Sequence, residues 1–223
     1  MAYILNIETS TTNCSVSLSN KGETLVLKED YGNGYSHAEK LHVYIEAVLK
    51  EANITSSQLE AIAVSKGPGS YTGLRIGVSA AKGLAYALKI PLISISTLEA
   101  LAHQVSADSG CIVPMLDARR LEVYSAIFDK DYNVVRAIEA QILNESAFEK
   151  ELASGKVYFV GDGVEKTKIL LNSPNAIFIE NKLPSADQMS ALSFNKYKKS
   201  DIEDVAYFEP YYLKDFVAIK SKK

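Results

Sequence analysis

The stretch KGPGSYTGLRIG, residues 66–77, contains four glycines and a proline between a predicted strand at residues 61–65 and a predicted helix at about residues 74–88. Glycines can adopt positive φ angles and let backbone N–H groups converge at a helix N-terminus, where phosphate groups bind. One interpretation is therefore a phosphate-binding loop. The other is a tight turn that brings the helix close to the sheet. The spacing matches neither of the two common glycine-rich nucleotide motifs.

The sequence around this stretch follows the order βββαβα, and the same order then repeats. Alternating apolar residues and turn residues predict strands at 3–7, 14–18, 24–28, 61–65 and 92–95, and again at 112–116, 121–128, 134–140, 157–160 and 176–179. Helical periodicity places helices between and after them. Two such α/β halves facing each other predict the actin-like ATPase fold, with an N-terminal lobe at residues 1–106 and a C-terminal lobe at residues 107–223.

The first strand of each half ends in an acidic residue, Glu8 and then Asp117. With the glycine loop these form a candidate nucleotide or phosphate site, in which the carboxylates position Mg²⁺ across the cleft; its members are Glu8, Gly67, Gly69, Gly73 and Asp117. Alternatively the acids belong to turns, with Asp117 capping a hairpin at Arg119 and Arg120. No serine–histidine–aspartate or cysteine–histidine arrangement is apparent, so the residues favour binding over chemistry and no catalytic residue is assigned.

Two predicted helices of the first half have regular apolar or small-residue faces. The first opens at Ser36 with Glu39 three residues later, the pattern of a capping box, and a second such pair is Ser96 and Glu99. We predict a partner interface on these helices, with the candidate residues His37, Leu41, Ile45, Val48, Gly73, Gly77 and Ala81. The alternative is that these faces pack inside the domain.

Composition excludes several classes of protein. The chain has 223 residues, 24 Lys and Arg against 27 Asp and Glu, and a net charge of −3. That balance argues against a domain that holds nucleic acid alone, and only residues 210–223 are basic. The absence of a long apolar stretch and of a signal-peptide pattern predicts a cytoplasmic protein without a membrane span. Cys14 and Cys111 could form one disulfide, but two free thiols fit a reducing compartment better.

His37 and His42 are the residues that invite a metal hypothesis. They are five positions apart, which places them about 140° apart around a helix, whereas a helical histidine pair that shares a metal is spaced i, i+4. His103 has no obvious partner. We therefore expect neither a metal nor another cofactor.

Five segments of the chain resemble the bacterial TsaB (YeaZ) family. They are ILNIETSTTNCSVSL, YSHAEKL, AIAVSKGPGSYTGLRIGVSAAKGLA, LDARRLEVYSAIF and EPYYLKDFVA. The resemblance covers nearly the whole chain and implies an actin-like two-lobe fold. It also implies a part in making N6-threonylcarbamoyladenosine at position 37 of tRNAs that read codons beginning with A.

In that system a TsaD-type subunit performs the transfer, and the resemblance implies that this chain is its dimerisation partner. A TsaE-type ATPase would join the two, tRNA would be met only through the complex, and the chain alone would form a homodimer. TsaD carries an H-x-x-x-H metal pair that is absent here, and Glu8 stands where actin-like ATPases usually have Asp. Both departures agree with a subunit that has lost its active site. The alternative is an actin-like small-molecule kinase or ATPase that uses Glu8, Asp117 and residues 67–73.

Overall fold

The computed structural model describes residues 1–31 and 36–214. The first sheet contains β1 (Tyr3–Glu8), β2 (Cys14–Asn20), β3 (Glu23–Asp30), β4 (Ala61–Gly67) and β5 (Leu92–Ser96). The second contains β6 (Cys111–Asp117), β7 (Glu122–Asp129), β8 (Val134–Ile142), β9 (Val157–Val160) and β10 (Ala176–Ile179). The helices are α1 (His37–Glu51), α2 (Tyr71–Leu88), α3 (Thr97–Ala102), α4 (Glu149–Ser154), α5 (Val164–Leu170) and α6 (Ala186–Lys198).

Both sheets have the same topology. The strand orders are β3-β2-β1-β4-β5 and β8-β7-β6-β9-β10, the second being the first repeated with each strand number raised by five. In each sheet the first three strands form an antiparallel meander, and the fourth strand pairs parallel to the first. The predicted duplication and the actin-like fold class are therefore confirmed, although each half runs βββαβαβα, one strand and one helix longer than βββαβα.

Strand β1 shows how the layers are built. Successive side chains of a strand point to opposite faces of its sheet. Leu5 and Ile7 pack on one face with the apolar positions of α1 and α2, whereas Ile4 lies on the other face with Ala186 and Met189 of α6. The first sheet is consequently covered on both faces, which explains why nearly every residue of β1 and β2 is buried.

The last helix of each half contacts the sheet of the other half, although α3 also packs on β4 and β5 of its own sheet. Helix α6 follows the second sheet in sequence but contacts β1, β2, β3 and β5 of the first. Conversely, Leu98 and Leu101 of α3 lie in one apolar cluster with Ile112 and Leu116 of β6. The strands of the first sheet end at Ser96 and those of the second begin at Cys111, whereas α6 packs on the first sheet and α3 contacts both sheets. The division into lobes by residue number stays a prediction.

Helix starts differ from two of the predictions. The Ser36 hydroxyl donates to Asp30 (3.2 Å) and caps no helical N–H, so the predicted capping box at α1 is wrong. Helix α2 begins at Tyr71, three residues earlier than predicted, because the Ser70 hydroxyl accepts the N–H of Gly73 (3.3 Å). The Ser96 hydroxyl accepts the N–H of Glu99 at α3. Tyr35 of the YSHAEKL segment and the basic residues beyond Lys214 lie outside the described residues.

Candidate functional site

A cleft of about 360 Å³ lies between the two sheets. Residues of both halves line it, among them Ser10, Gly69, Ser70, Asp117 and Arg119, together with residues 211–214. The structure therefore brings Gly69 and Asp117 to one cavity. Glu8, Gly67 and Gly73, the other three candidates for a phosphate site, are absent from its lining.

Glu8 is fully buried at the end of β1. Its Oε1 accepts the N–H of Ser10 (2.6 Å) and the hydroxyl of Ser65 (2.9 Å), while its Oε2 has no hydrogen-bond partner among the described residues. Desolvation raises the pKa of the Glu8 carboxyl, although these hydrogen bonds oppose the shift. The group is thus built into the protein interior.

Gly69, just before α2, and Gly73 in its first turn bring the backbone against the turn that follows β1. A Cβ added to Gly69 would lie 2.5 Å from the carbonyl oxygen of Ser10, and one added to Gly73 would lie 2.1 Å from that of Thr9. The Ser70 N–H donates to the Ser10 carbonyl (2.6 Å). The tight-turn interpretation accounts for these glycines, because a protein carbonyl already occupies this N–H of the loop.

Gly67 is required for a different close approach. Its φ is +109°, a conformation that L residues rarely adopt, and an added Cβ would lie 2.8 Å from the carbonyl oxygen of Tyr211. Gly67 and Gly73 are therefore both needed for close approaches of protein carbonyls, which favours the tight-turn interpretation. Their assignment to a phosphate site stays a prediction.

Asp117 has both roles that the sequence left open, since it lines the cleft and caps the turn after β6. Its Oδ1 accepts the N–H of Arg119 (2.6 Å) and the ammonium group of Lys166 (2.8 Å). Its own N–H donates to Asp162 (2.8 Å). Asp162 lies between β9 and α5 and Lys166 lies on α5, so the cleft wall and α5 are one hydrogen-bonded unit.

The candidate interface residues do not form a surface. His37, Leu41, Ile45, Val48, Gly73, Gly77 and Ala81 are all buried. Leu41, Ile45, Val48 and Ala81 pack on the first sheet, and a Cβ on Gly77 would lie 2.2 Å from the Thr9 hydroxyl oxygen. These residues were predicted as an interface because the sequence shows which face of a helix is regular. It does not show whether that face packs inside the protein or against a partner. That prediction is wrong for these seven residues.

The outer side of the same two helices carries a shallow groove of about 710 Å³. We call it the helix groove, and its lining residues are His42, Tyr71, Thr72, Arg75, Ile76, Ser79, Ala80, Gly83 and Leu84. Val43 on α1 and Tyr86 on α2 are 60% and 79% exposed beside it. Sequence analysis missed these residues, whose signal was the presence of large apolar and aromatic side chains on the polar face of each helix.

His37 and His42 have separate environments. The Nε2 atom of His37 lies 2.7 Å from the carbonyl oxygen of Thr11 in the protein interior, and burial lowers its pKa. His42 lies in the helix groove. Within residues 1–31 and 36–214, no three His, Cys, Asp or Glu residues are grouped so that they could hold a metal ion. Cys14 and Cys111 are both free thiols.

Comparison with known proteins identifies the family. The family model "TsaD: tRNA N6-adenosine threonylcarbamoyltransferase" matches residues 33–221. The "tRNA threonylcarbamoyladenosine biosynthesis protein TsaB" of Escherichia coli is 30% identical over 225 residues, which span 97% of this chain and 96% of that protein. This chain belongs to the TsaB family. It is accordingly a protein of tRNA threonylcarbamoyladenosine biosynthesis.

Solved structures agree with this TsaB assignment. YeaZ from Pseudomonas aeruginosa is 26% identical and superimposes with a TM-score of 0.82, covering 96% of this chain and all of that one. The ethanolamine utilization protein EutJ from Carboxydothermus hydrogenoformans is 11% identical with a TM-score of 0.51, covering 86% and 90% of the two chains, and shares the fold alone. No helix in the described part of this TsaB-family chain is long and apolar enough to cross a bilayer.

Proposed function

We propose that this TsaB-family chain is a non-catalytic dimerisation subunit. It pairs with a TsaD-type subunit that forms N6-threonylcarbamoyladenosine at position 37 of tRNAs reading codons that begin with A. A TsaE-type ATPase joins the pair, tRNA binds through the complex, and the chain alone forms a homodimer in the cytoplasm. The observation that carries the proposal is the helix groove, a largely apolar surface of α2 bordered by His42 of α1, on helices whose other sides pack on the first sheet.

The chemistry of the helix groove suits a protein partner. The guanidinium group of Arg75 lies over the ring of Tyr71 at 4.8 Å from its centroid, and Tyr86 stands exposed further along α2. Arginine and tyrosine are enriched in the central contacts of protein interfaces. A TsaD-type partner with the same fold would present an equivalent helix pair, so the two pairs could form a layer with approximate two-fold symmetry.

The absence of catalysis is proposed from the placement of the acids. Glu8 is enclosed and bonded to Ser10 and Ser65, and the Ser70 N–H is bonded to the Ser10 carbonyl. An actin-like kinase or ATPase needs such groups free to meet Mg²⁺ and phosphate. Titration with ATP and Mg²⁺ separates the alternatives: we expect no Mg²⁺-dependent binding at micromolar ATP and no turnover, and either would favour the enzyme.

The variant Gly83→Leu tests the interface. Gly83 lines the groove, and an added Cβ would find no atom within 4 Å, so the isolated chain should tolerate the substitution. A leucine would overfill the contact and weaken association with the TsaD-type subunit about tenfold or more. Calorimetry measures that association, and tRNA threonylcarbamoylation by the reconstituted system should fall with it.

The matched control is Ala153→Leu, which adds bulk at an exposed position of α4 on the second sheet. It should leave association unchanged. Thermal unfolding of each variant alone checks folding. A folded Gly83→Leu chain that binds the TsaD-type subunit as tightly as the wild type places the interface elsewhere and contradicts the proposal.

A further inference from the structure

The chain after α6 does not stay with the second sheet. The N–H of Glu203 donates to the carbonyl of Leu92 (2.8 Å), and the ammonium group of Lys82 donates to the carbonyl of Phe208 (2.8 Å). This part of the chain therefore runs along the first sheet and α2 towards the glycine loop. Residues 211–214, which we call the strap, then line the cleft between the sheets.

The strap is fixed to the glycine loop at its first residue. The N–H of Tyr211 donates to the carbonyl of Lys66 (2.7 Å). The Tyr211 carbonyl lies so close to Gly67 that a Cβ there would be 2.8 Å away. The backbones of the strap and the loop are thus in direct contact, and this contact uses the position at which the loop needs glycine.

The other end of the strap is fixed to the second sheet. The ammonium group of Lys214 forms an ion pair with Glu122 of β7, whose side chain is only 20% exposed. Lys66 lies at the end of β4 in the first sheet and Glu122 at the start of β7 in the second. Four consecutive residues therefore bridge the mouth of the cleft.

Tyr212 connects the strap to the helix groove. Its ring lies 5.0 Å from the ring of Tyr71, and the guanidinium group of Arg75 lies over that same Tyr71 ring, 4.8 Å from its centroid. Tyr71 lines both the cleft and the helix groove, and Arg75 lines the groove. A partner that binds in the groove must contact the same two side chains that hold Tyr212.

We propose that the strap holds the cleft closed in the isolated chain, and that a protein partner in the helix groove releases it by competing with Tyr212 for Tyr71 and Arg75. The release rests on the proposed partner interface, whereas the closed state does not. Partner binding at the groove and opening of the cleft are then coupled, and the coupling is reciprocal: loosening the strap favours the partner.

Hydrogen exchange of the isolated full-length chain tests the closed state. Tyr212→Ala removes the ring contact, which should raise exchange of the strap and of residues 68–72 and 117–119 about 2- to 10-fold. Tyr207→Ala is the matched control, since Tyr207 is 84% exposed and lies in the same segment. Either of two results contradicts the proposal that the strap holds the cleft closed. One is unchanged exchange in Tyr212→Ala, and the other is wild-type strap amides that exchange as fast as those of an unstructured peptide.

Exchange in the presence of the TsaD-type subunit tests the release. We expect slower exchange in α2 and faster exchange in residues 211–214 of the wild type, with no further acceleration in Tyr212→Ala. Protection of α2 without faster strap exchange overturns the release and leaves the interface standing. Partner binding without any protection of α2 overturns both the interface and the release, while the result for the isolated chain still decides the closed state.

Discussion

Ser193 of α6 donates a hydrogen bond of 2.7 Å to the side-chain oxygen of Asn6 in β1, across 187 positions of the chain. Asn6 is fully buried, and its amide nitrogen also lies within 3.4 Å of the hydroxyls of Ser17, Ser19 and Ser190. An uncharged polar network therefore fixes the helix that ends the second half to the central strand of the first sheet. The packing of α6 on the first sheet is specified by these hydrogen bonds as well as by apolar packing.

We expect Asn6→Ala to destabilise the protein by about 2–3 kcal/mol, since it leaves buried hydroxyls without their partner and opens a small cavity. Ser193→Ala should cost about 1 kcal/mol. Urea unfolding of both single variants and of the double variant measures the coupling between them. If the two losses simply add, the hydrogen bond between β1 and α6 contributes nothing and this account of the network fails.

Local patterns in the sequence were sufficient for the strands, most helices and the duplicated topology. A short apolar run identified β1, which is buried on both faces, and helical periodicity identified α1 and α2, because each of these helices buries one face. The packing of α6 on the first sheet, and the contact of α3 with both sheets, were not predictable in this way, since an amphipathic helix does not encode which sheet covers it. The partner for Ser193 is a single asparagine at the far end of the chain, and no local pattern links the two.

The candidate site shows the same limit. Glycine spacing correctly indicated a place where another group approaches the backbone, but it could not distinguish a phosphate from the carbonyls of Thr9 and Ser10. Likewise, the sequence shows that an acidic residue ends β1. It does not show that this residue is buried against Ser65 of β4, which is next to β1 in the sheet but 57 positions away in the chain. The strap had no signal of its own, because tyrosines after Pro210 follow neither helical nor strand periodicity.

Two glycines on α2 should respond in opposite ways to alanine. Gly77→Ala places a Cβ only 2.2 Å from the Thr9 hydroxyl oxygen, which is too close for two atoms that are not bonded. The substitution should therefore destabilise the protein by about 1–3 kcal/mol. Gly83→Ala meets no atom within 4 Å and should stabilise it by up to about 1 kcal/mol, because alanine is the better helix former. Thermal unfolding compares them, and equal effects of the two substitutions would contradict the packing of α2 against the turn after β1.

Glu8 should make stability fall as the pH rises. Burial raises its pKa in the folded protein above the ordinary value of 4.5, so the unfolded chain releases this proton at lower pH. The stabilisation from the neutral carboxyl is complete below the ordinary pKa and is lost as the pH rises through the raised one. Glu8→Gln cannot ionise at this position. Its free energy of unfolding, measured by chemical unfolding, should therefore rise relative to that of the wild type between pH 4 and pH 8. The exposed Glu165→Gln on α5 is the control, and a Glu8→Gln difference that is constant over this range would show that Glu8 does not titrate as described.

Lys166 and Lys168 on α5 offer a matched pair for the wall of the cleft. Lys166 is 17% exposed, and its ammonium group donates to Asp117, to the Arg120 carbonyl (3.1 Å) and to the Glu122 carbonyl. Lys168 is 57% exposed and pairs only with Glu180 among the described residues. Lys166→Met should cost about 1–3 kcal/mol because the two carbonyls and the carboxylate of the turn lose their shared donor. Lys168→Met should cost less than about 1 kcal/mol, as exposed ion pairs do.

Urea unfolding measures both losses, and hydrogen exchange locates them. Lys166→Met should accelerate exchange at residues 117–122, where Arg119 and Arg120 are held at positive φ angles of 69° and 52°. That backbone conformation is unfavourable for arginine and persists only while its surroundings fix it. If Lys166→Met and Lys168→Met destabilise equally and exchange in the turn is unchanged, α5 does not hold the turn, and the second wall of the cleft is stabilised by β6 and β7 alone.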